Sequence, residues 1–210
     1  MTQHYNKKNI LQVKSLACQR GEKLLFSNLS FAVASGELLL LEGKNGAGKT
    51  TLLRLLSGLR RSDEGEIFWN NQEISELDFD FYQDVSFLGH HNALKLELTA
   101  QENLEVSIAL SAGSEISIEK ALADVKLAGY EHELVKSFSA GMKRRLAIAK
   151  LLVLDTPLWV LDEPFTSVDV KGIALIEKFI NEHLQKGGLV VMTSHHEVNI
   201  EKKYITNLRL

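Results

Sequence analysis

Eight consecutive residues restrict the possible folds of this chain more than any other feature. They run from Gly43 to Thr50 with the sequence Gly-Lys-Asn-Gly-Ala-Gly-Lys-Thr. The leucine run before them, from Leu38 to Leu41, is typical of a buried strand. The segment after them, from Thr51 to Ser57, has helical spacing and ends at Gly58. A strand, a glycine-rich loop and a helix in this order indicate a phosphate-binding loop and predict an α/β fold.

The residue types in this loop suit a phosphate chain. Gly43, Gly46 and Gly48 can adopt positive φ and place no Cβ atom between the backbone amides and an anion. Lys49 opens the helix as a flexible positive charge for the β- and γ-phosphates, and Thr50 offers a hydroxyl oxygen to Mg²⁺. An ordinary glycine-rich turn is the alternative, but it does not require Gly-Lys-Thr at its end. The remaining residues of the predicted phosphate-binding set are Lys44, Asn45, Ala47 and Thr51.

The rest of the chain alternates between strand and helix patterns. Residues 10–35 alternate loosely around a turn at residues 20–22, which predicts two or three antiparallel strands. A turn is expected at residues 63–66. Further strands are predicted at Val85–Leu88, Leu158–Leu161 and Leu189–Thr193, and the second of these is apolar without alternation, as in a parallel strand covered on both faces.

Between about residues 99 and 154 the hydrophobic period becomes helical. Apolar side chains recur at helical spacing at positions 118, 121, 122 and 125, and again at 142, 146, 149 and 153. We therefore expect one domain over residues 1–210. Its nucleotide-binding core and β layer would take residues 1–90 and 155–210, and an inserted α-helical sub-domain would take residues 91–154.

Length and composition favour a globular protein without a membrane span of its own. The chain has 210 residues, of which 45% are hydrophobic and 24% charged, enough for one large domain with a sizeable core. A net charge of −3 differs from the basic footprint of nucleic-acid-binding proteins. The single cysteine, Cys18, cannot form an internal disulfide, which suits the cytosol. Residues 1–8 lack the apolar segment of a signal peptide, and the uncharged stretch from Leu24 to Gly36 is too short to cross a bilayer.

Two adjacent acidic residues follow the apolar strand that ends at Leu161. Asp162 and Glu163 precede Pro164, and open α/β sheets bind their ligands at the carboxyl ends of the strands. Asp162 is predicted to hold Mg²⁺ through its water shell, and Glu163 to polarise the water that attacks a γ-phosphate. The alternative is a solvated turn after the strand.

A second anion site is suggested by the segment from Phe138 to Arg145. Ser139 is a favourable N-cap, and its hydroxyl joins the free amides of the first helical turn. Read alone, the segment is better explained as an ordinary capped helix. Lys143, Arg144 and Arg145 are most simply a solvated helix face, with a phosphate or partner contact as the alternative.

Taken in order, these motifs resemble the nucleotide-binding subunit of ATP-binding cassette (ABC) transporters over nearly the whole chain. Besides the phosphate loop, the resemblance rests on Ser139-Ala140-Gly141, Leu161-Asp162-Glu163-Pro164, Ser167-Val168-Asp169 and Thr193-Ser194-His195. The short length, Gly89-His90 and the run from Leu161 to Asp169 are similar, more narrowly, to the haem-exporter ATP-binding subunit of the bacterial cytochrome c maturation system. The resemblance implies a P-loop NTPase core with a mostly parallel sheet, an N-terminal antiparallel β layer and an inserted helical sub-domain.

The resemblance also implies roles that the residues alone leave open. In such ATPases two subunits pack head to tail, so Ser139 and Gly141 of one subunit would close on the γ-phosphate of ATP held by the other. Asp169 would lie in the loop that crosses this interface. His195 would reach the γ-phosphate and the attacking water, and would act with Glu163 and the phosphate-loop lysine. ATP and Mg²⁺ are the ligands that this arrangement implies.

Four positions depart from the family pattern, and two of them, Ala140 and Met142, stand where glycine and glutamine are common. Most ABC subunits have a glutamine nine residues before the position of Thr99, where this chain has His90. Imidazole is a poor ligand for Mg²⁺ beside oxygen donors, so His90 would act through water or on a partner, or be an ordinary loop histidine. His91 takes its place if the loop is one residue shorter. Arg20 stands where an aromatic residue usually stacks on adenine, and its guanidinium plane can stack in the same way.

The expected function is that of an ATPase which powers a membrane transporter. We expect a homodimer bound peripherally to integral transporter subunits on the cytoplasmic side of the inner membrane, through a surface near residues 90–103, and no nucleic-acid partner. Haem export for cytochrome c biogenesis is implied by the narrower resemblance, and another exported cargo is the alternative. A soluble ABC ATPase of DNA repair or ribosomes usually needs two cassettes or a coiled-coil insertion, which 210 residues do not accommodate. Glu163 argues against a module that binds nucleotide without turnover.

Overall fold

The computed structural model describes residues 8–111 and 116–210, and within them it contains two β-sheets and six α-helices. The strands, in chain order, are β1 (Ile10–Arg20), β2 (Lys23–Ala34), β3 (Leu38–Glu42), β4 (Glu64–Trp69), β5 (Gln72–Glu73), β6 (Val85–Leu88), β7 (Leu158–Leu161), β8 (Leu189–Thr193) and β9 (Ile205–Arg209). The helices are α1 (Lys49–Leu56), α2 (Asp78–Asp84), α3 (Ala100–Ala109), α4 (Ile118–Asp124), α5 (Ala140–Leu154) and α6 (Val170–Gln185). Short 3₁₀ turns occur at Val135–Ser137 and Lys202–Tyr204. Residues 1–7, which carry most of the segment predicted not to be a signal peptide, lie outside the described residues.

The amino-terminal layer is an antiparallel sheet with the strand order β2-β1-β4-β5. β1 pairs with β2 from Ile10 opposite Ala34 to Arg20 opposite Lys23, so the predicted antiparallel layer is confirmed. The predicted turn at residues 63–66 is wrong in its extent. β4 already begins at Glu64, because pairing with β1 extends the strand through this region.

The second layer is a parallel sheet with the strand order β6-β7-β8-β3-β9. β6, β7 and β8 have the predicted bounds, and every residue of β7 and β8 is buried, as expected for strands covered on both faces. β9 was not predicted. It lies at the edge of the sheet beside β3, where its residues stay partly exposed and give a weaker hydrophobic signal.

Two groups of buried side chains join these layers. One group fills the space between the antiparallel sheet, α1 and one face of the parallel sheet, and includes Leu11 and Leu52. The other covers the opposite face of the parallel sheet and contains Leu104, Leu146 and Trp159. The helices between residues 100 and 154 therefore share their core with the sheet. Within the described residues, no helix combines the length and the apolar composition needed to cross a bilayer.

Candidate active site

The loops that follow β3, β6, β7 and β8 surround a cleft of about 720 Å³. Parallel strands present their carboxyl ends at the same edge of a sheet, so segments that are distant in sequence meet there. The predicted site residues that line this cleft are Arg20, Lys44, Asn45, Gly46, Gly48, Lys49, Thr50, Thr51, His90, Asp162, Glu163 and His195. The predicted residues outside its lining are Gly43, Ala47, Ser139, Gly141 and Asp169.

The phosphate loop has the backbone geometry that its glycines permit. Gly43, Gly46 and Gly48 have φ angles of 148°, 79° and 106°. A Cβ atom at Gly48 would lie 3.1 Å from Leu25 Cβ, so a larger residue would crowd β2 as well as strain the backbone. Gly48 is the N-cap of α1 and provides no side-chain hydrogen bond. Because the amides of a first helical turn have no intrahelical acceptor, this helix start is suited to bind an anion.

The Lys49 ammonium group is held over the loop by backbone oxygens. Its Nζ atom donates to the carbonyl oxygens of Gly43 at 2.7 Å and Lys44 at 3.4 Å. An ammonium group has three donors, so these two contacts leave one for a phosphate oxygen. The loop therefore combines free amides with a positive charge that its own backbone positions.

Thr50 and Asp162 bring two oxygen ligands together within the cleft. The Thr50 hydroxyl donates to Asp162 Oδ2 at 2.9 Å. Mg²⁺ prefers such oxygen donors and is commonly held by one or two protein groups together with substrate phosphates and water. Among residues 8–111 and 116–210, no group of three or more His, Cys, Asp and Glu side chains is arranged to hold a metal ion. The donor set thus fits an Mg²⁺ ion that binds together with a phosphate chain.

Glu163 and His195 are in direct contact in the cleft. The His195 backbone N–H donates to Glu163 Oε2 at 3.2 Å, and His195 Nε2 lies 3.4 Å from Glu163 Oε1. The Glu163 side chain is 17% exposed and that of His195 is 58% exposed, so the carboxylate lies in the cleft wall with the imidazole nearer to solvent. An oriented carboxylate beside a polar partner is the arrangement that a general base requires.

The start of α5 has the predicted cap. Ser139 Oγ accepts a hydrogen bond from the Met142 backbone N–H at 3.2 Å. Ser139 and Ala140 are exposed, and neither lines the cleft of its own chain. Ala140 replaces a common glycine without strain, because it lies in the first helical turn and needs no positive φ. The helix start therefore lies outside the cleft that the phosphate loop of the same chain lines.

Asp169 connects two helices outside the cleft. Its Oδ1 atom accepts hydrogen bonds from the Gly172 N–H at 2.9 Å and from Arg145 Nη2 at 3.1 Å. The Gly172 hydrogen bond and, to a smaller extent, Arg145 lower the pKa of the Asp169 carboxyl group. A Cβ atom at Gly141 would lie 3.3 Å from the Ser167 carbonyl oxygen, so the loop before α6 packs closely on the start of α5.

Arg144 contradicts the prediction that residues 143–145 form a solvated helix face. Its side chain is buried, with 2% exposure, and both neighbours are only partly buried. The guanidinium donates to five oxygen atoms at 2.6–3.1 Å, the carbonyl oxygens of Gly89, Asp162, Glu163 and Pro164 and the side-chain oxygen of Asn92. Burial lowers the pKa of Arg144 to about 10, and the negative charges of Asp162 and Glu163 oppose this shift, so the group stays protonated at neutral pH.

Replacing Arg144 with methionine should lower the free energy of unfolding by about 3 kcal/mol, because several buried carbonyl groups would lose their donor. Urea unfolding followed by circular dichroism measures this change. Lys143→Met, on the same helix, is the matched control and should change the free energy by less than about 0.5 kcal/mol. Equal stability of Arg144→Met and the wild type would show that the hydrogen bonds of the guanidinium do not hold these loops.

Arg20 and His90 both lie on the lining of the cleft. His91 lines the same cleft, and the two imidazole rings form an edge-to-face contact with centroids 5.5 Å apart. Both histidines therefore line the same cleft, and either one can take the place of the glutamine.

The sequence pattern predicts no role for Thr193, although this residue begins the Thr193-Ser194-His195 motif. Its side chain is fully buried, and its hydroxyl contacts both acidic residues after β7. The signal in the sequence was a polar residue at the last position of an otherwise apolar strand. Only the pairing of β7 with β8 directs that hydroxyl towards the carboxylates.

Comparison with known proteins agrees with this geometry. The sequence model of the ABC transporter family matches residues 26–166. A cytochrome c biogenesis ATP-binding export protein CcmA from Nitrosomonas europaea is 48% identical over 192 residues, which cover 90% of each chain. The protein of the same name from Aliivibrio fischeri is 43% identical and covers 96% of this chain and 99% of its own.

Solved structures share the fold. The structure of an ATP-binding subunit of an ABC transporter superposes with a TM-score of 0.84 at 26% identity, covering 96% of this chain and 88% of that one. A dimeric bacterial ABC transporter cassette has a TM-score of 0.82 at 24% identity, covering 95% and 94%. The second similarity concerns the fold alone.

Proposed function

Because the chain belongs to the ABC transporter family of ATP-binding subunits, we propose that it hydrolyses ATP to power the export step of cytochrome c biogenesis. The curated relatives named for that process align with nearly the whole chain at 41–48% identity. The convergence of Lys49, Glu163 and His195 in one cleft is the structural observation that supports this proposal most directly. Haem is the cargo that the narrower sequence resemblance suggests.

In this proposal the phosphate chain of ATP binds along residues 43–51. The free amides at the start of α1 and the Lys49 ammonium group offset its negative charge. The guanidinium of Arg20 stacks on the adenine at the rim of the cleft. Support comes from the position of Arg20 on the lining and from the uncapped helix start at Gly48.

Hydrolysis depends mainly on positioning and charge stabilisation, because phosphoryl transfer requires little covalent chemistry from the protein. Glu163 orients the attacking water and accepts its proton, and His195 contacts the γ-phosphate beside it. Thr50 and Asp162 would hold Mg²⁺, and the ion, when bound, would offset negative charge on the phosphate chain. The contact between His195 and Glu163 supports the shared role of these two residues.

A head-to-tail homodimer would complete the site. The exposed start of α5, with Ser139 as its cap and Gly141 in its first turn, lies outside the cleft of its own chain and is available to the γ-phosphate held by a second copy. Asp169, next to this helix start through Arg145, would lie at the same interface. An isologous pair of this kind contains two equivalent sites. Hydrolysis would then require dimerisation.

Ser139→Arg tests the action of this helix start on the partner subunit. The larger cation should block closure, so turnover is expected to fall at least about 100-fold while the affinity of the monomer for ATP stays within about threefold. Steady-state hydrolysis and calorimetric ATP binding measure the two effects. Ser117→Arg is the matched control, because Ser117 is the exposed N-cap of α4. Equal turnover in both variants would exclude a role for Ser139 in the partner's site.

Integral transporter subunits are the proposed partners, and the proposed location is the cytoplasmic side of the inner membrane. The docking surface lies near residues 90–103, where the loop after β6 meets α3. Asn103 is itself buried and shapes this loop, since its side chain accepts from the Lys95 N–H at 2.8 Å and donates to the Lys95 carbonyl oxygen at 2.9 Å. The Asn103 side chain therefore holds the backbone of this loop at Lys95.

Affinity purification of tagged Glu163→Gln protein from gently solubilised membranes, with ATP and Mg²⁺, tests this function. We expect integral membrane subunits and haem to be recovered with it. Recovery of integral subunits without haem would support the transporter function and reject haem as its cargo. Recovery in the soluble fraction with ribosomes or nucleic acid would reject the transporter function in favour of a soluble ABC ATPase. The same purification without ATP serves as the control.

A further inference from the structure

The Thr193 side chain lies at the end of β8, between the two acidic residues that follow β7. Its hydroxyl donates to Asp162 Oδ1 at 2.9 Å and accepts from the Glu163 backbone N–H, also at 2.9 Å. Thr193 is fully buried and Asp162 is 4% exposed. Water therefore has little access to replace these bonds.

This arrangement uses the hydroxyl group both as a donor and as an acceptor. A hydroxyl carries one donor hydrogen, which here is directed at Asp162, and its lone pairs are available to Glu163. Valine has the same shape as threonine and offers neither function. The two hydrogen bonds therefore depend on the hydroxyl and not on the packing of the side chain.

The Glu163 peptide needs such support because its backbone is strained. Glu163 has a φ of 49°, in the left-handed region that non-glycine residues adopt at a cost. Thr193 holds the amide of this residue, while Arg144 Nη2 donates to its carbonyl oxygen at 2.6 Å. The direction of the Glu163 side chain is thus fixed by hydrogen bonds on both sides of the residue.

We propose that Thr193 is a positioning residue that fixes the Asp162 carboxylate and the Glu163 backbone at the same time, and so links the metal ligand to the general base. The inference rests on the hydrolytic function proposed above and adds a residue to it. The Asp162 carboxylate has one oxygen towards Thr50 and the other towards Thr193, so loss of the hydroxyl would let it rotate away from the metal position. The same loss would free the Glu163 amide.

Thr193→Val and Thr193→Ser separate the hydroxyl from the shape of the side chain. In the full chain, purified with its membrane subunits, Thr193→Val should lower kcat about tenfold or more and raise KM for ATP by a smaller factor of about three. Thr193→Ser keeps the hydroxyl and should restore most of kcat. Equal kcat for Thr193→Val and the wild type would overturn the proposal, and so would equal losses in both variants.

Thr156→Val is the matched control for a merely structural role. Thr156 is also a buried threonine, with 4% exposure, and its hydroxyl donates to Ser86 Oγ at 2.8 Å. It precedes β7 at the end of the strand opposite the carboxylates, and the four residues of β7 alone span roughly 13 Å at 3.3 Å per residue. Urea unfolding should show similar losses of stability for Thr156→Val and Thr193→Val. Only Thr193→Val should lower kcat. Equal kcat losses in both would assign Thr193 a structural role.

A binding measurement separates failure of this inference from failure of the proposed function. In the Glu163→Gln background, Mg²⁺ should raise the affinity for ATP. Adding Thr193→Val should lower the affinity measured with Mg²⁺ about threefold or more and leave the affinity measured in EDTA unchanged. Calorimetric titration measures this without turnover, so it applies even if the wild type proves inactive. An inactive wild type would reject the ATPase, whereas an unchanged Mg²⁺ effect would reject the role of Thr193 towards Asp162.

Discussion

Lys49→Ala is expected to abolish nucleotide binding, with a loss of affinity for ATP of about 100-fold or more. The ammonium group is the positive side chain that the loop itself holds in place, through the carbonyl oxygens of Gly43 and Lys44. Its removal takes away the charge-assisted hydrogen bonds to the phosphates, while the glycine backbone that shapes the loop remains. Calorimetric titration with ATP measures the loss, and the rise in Tm on adding ATP should disappear with it.

Lys120→Ala is the control for loss of one positive charge. Lys120 lies on α4 and pairs with Asp124 at 2.7 Å on the surface, so its removal should leave ATP affinity unchanged. Normal ATP affinity in Lys49→Ala would show that the phosphate loop does not bind the nucleotide. Reduced affinity in both variants would instead indicate a general electrostatic effect.

Glu163→Gln is expected to lower the rate of ATP hydrolysis about 100-fold or more while ATP still binds. The amide keeps the shape of the side chain and the hydrogen bond from the His195 N–H, but it cannot accept a proton from water. Uncleaved ATP should then hold two subunits together. Phosphate release measures the first effect, and size-exclusion chromatography with ATP and Mg²⁺ should show accumulation of a dimer.

Glu201→Gln is the matched control for this substitution. Glu201 is exposed and pairs with Lys203 at 2.6 Å, so its loss should change neither turnover nor assembly. A wild-type rate of ATP hydrolysis in Glu163→Gln would show that the carboxylate is not the general base. Reduced turnover without a dimer would preserve that role and contradict the head-to-tail assembly.

Features that depend on neighbours in the sequence could be predicted. The phosphate loop is a local arrangement in which strand, glycines and helix follow one another, so residues 38–58 already specify it. β6, β7 and β8 were predicted with their observed bounds, because short apolar runs bounded by polar residues have few other interpretations. β9 was missed, because an edge strand buries less of its surface.

Arg144 shows where sequence patterns fail. Three consecutive basic residues normally indicate a solvated face, and α5 carries apolar side chains around much of its circumference, so its periodicity does not identify the inward direction. The middle residue is buried because five oxygen acceptors, contributed by two distant loops, meet at its guanidinium. No local pattern encodes a set of acceptors that the chain brings together only when it folds.

Local residue patterns therefore predict which groups follow which elements: a phosphate loop after β3, two acidic residues after β7, a capped start of α5 and a histidine after β8. The contacts between these groups arise only when the chain folds. The parallel order of β7, β8 and β3 brings Thr50 and Thr193 to the two oxygens of Asp162, and α5 brings Arg144 to the carbonyl oxygen of the strained Glu163 peptide. These contacts join residues from 19 to 112 positions apart, and hydrogen bonds over such separations arise from strand order and burial, which short-range spacing does not specify.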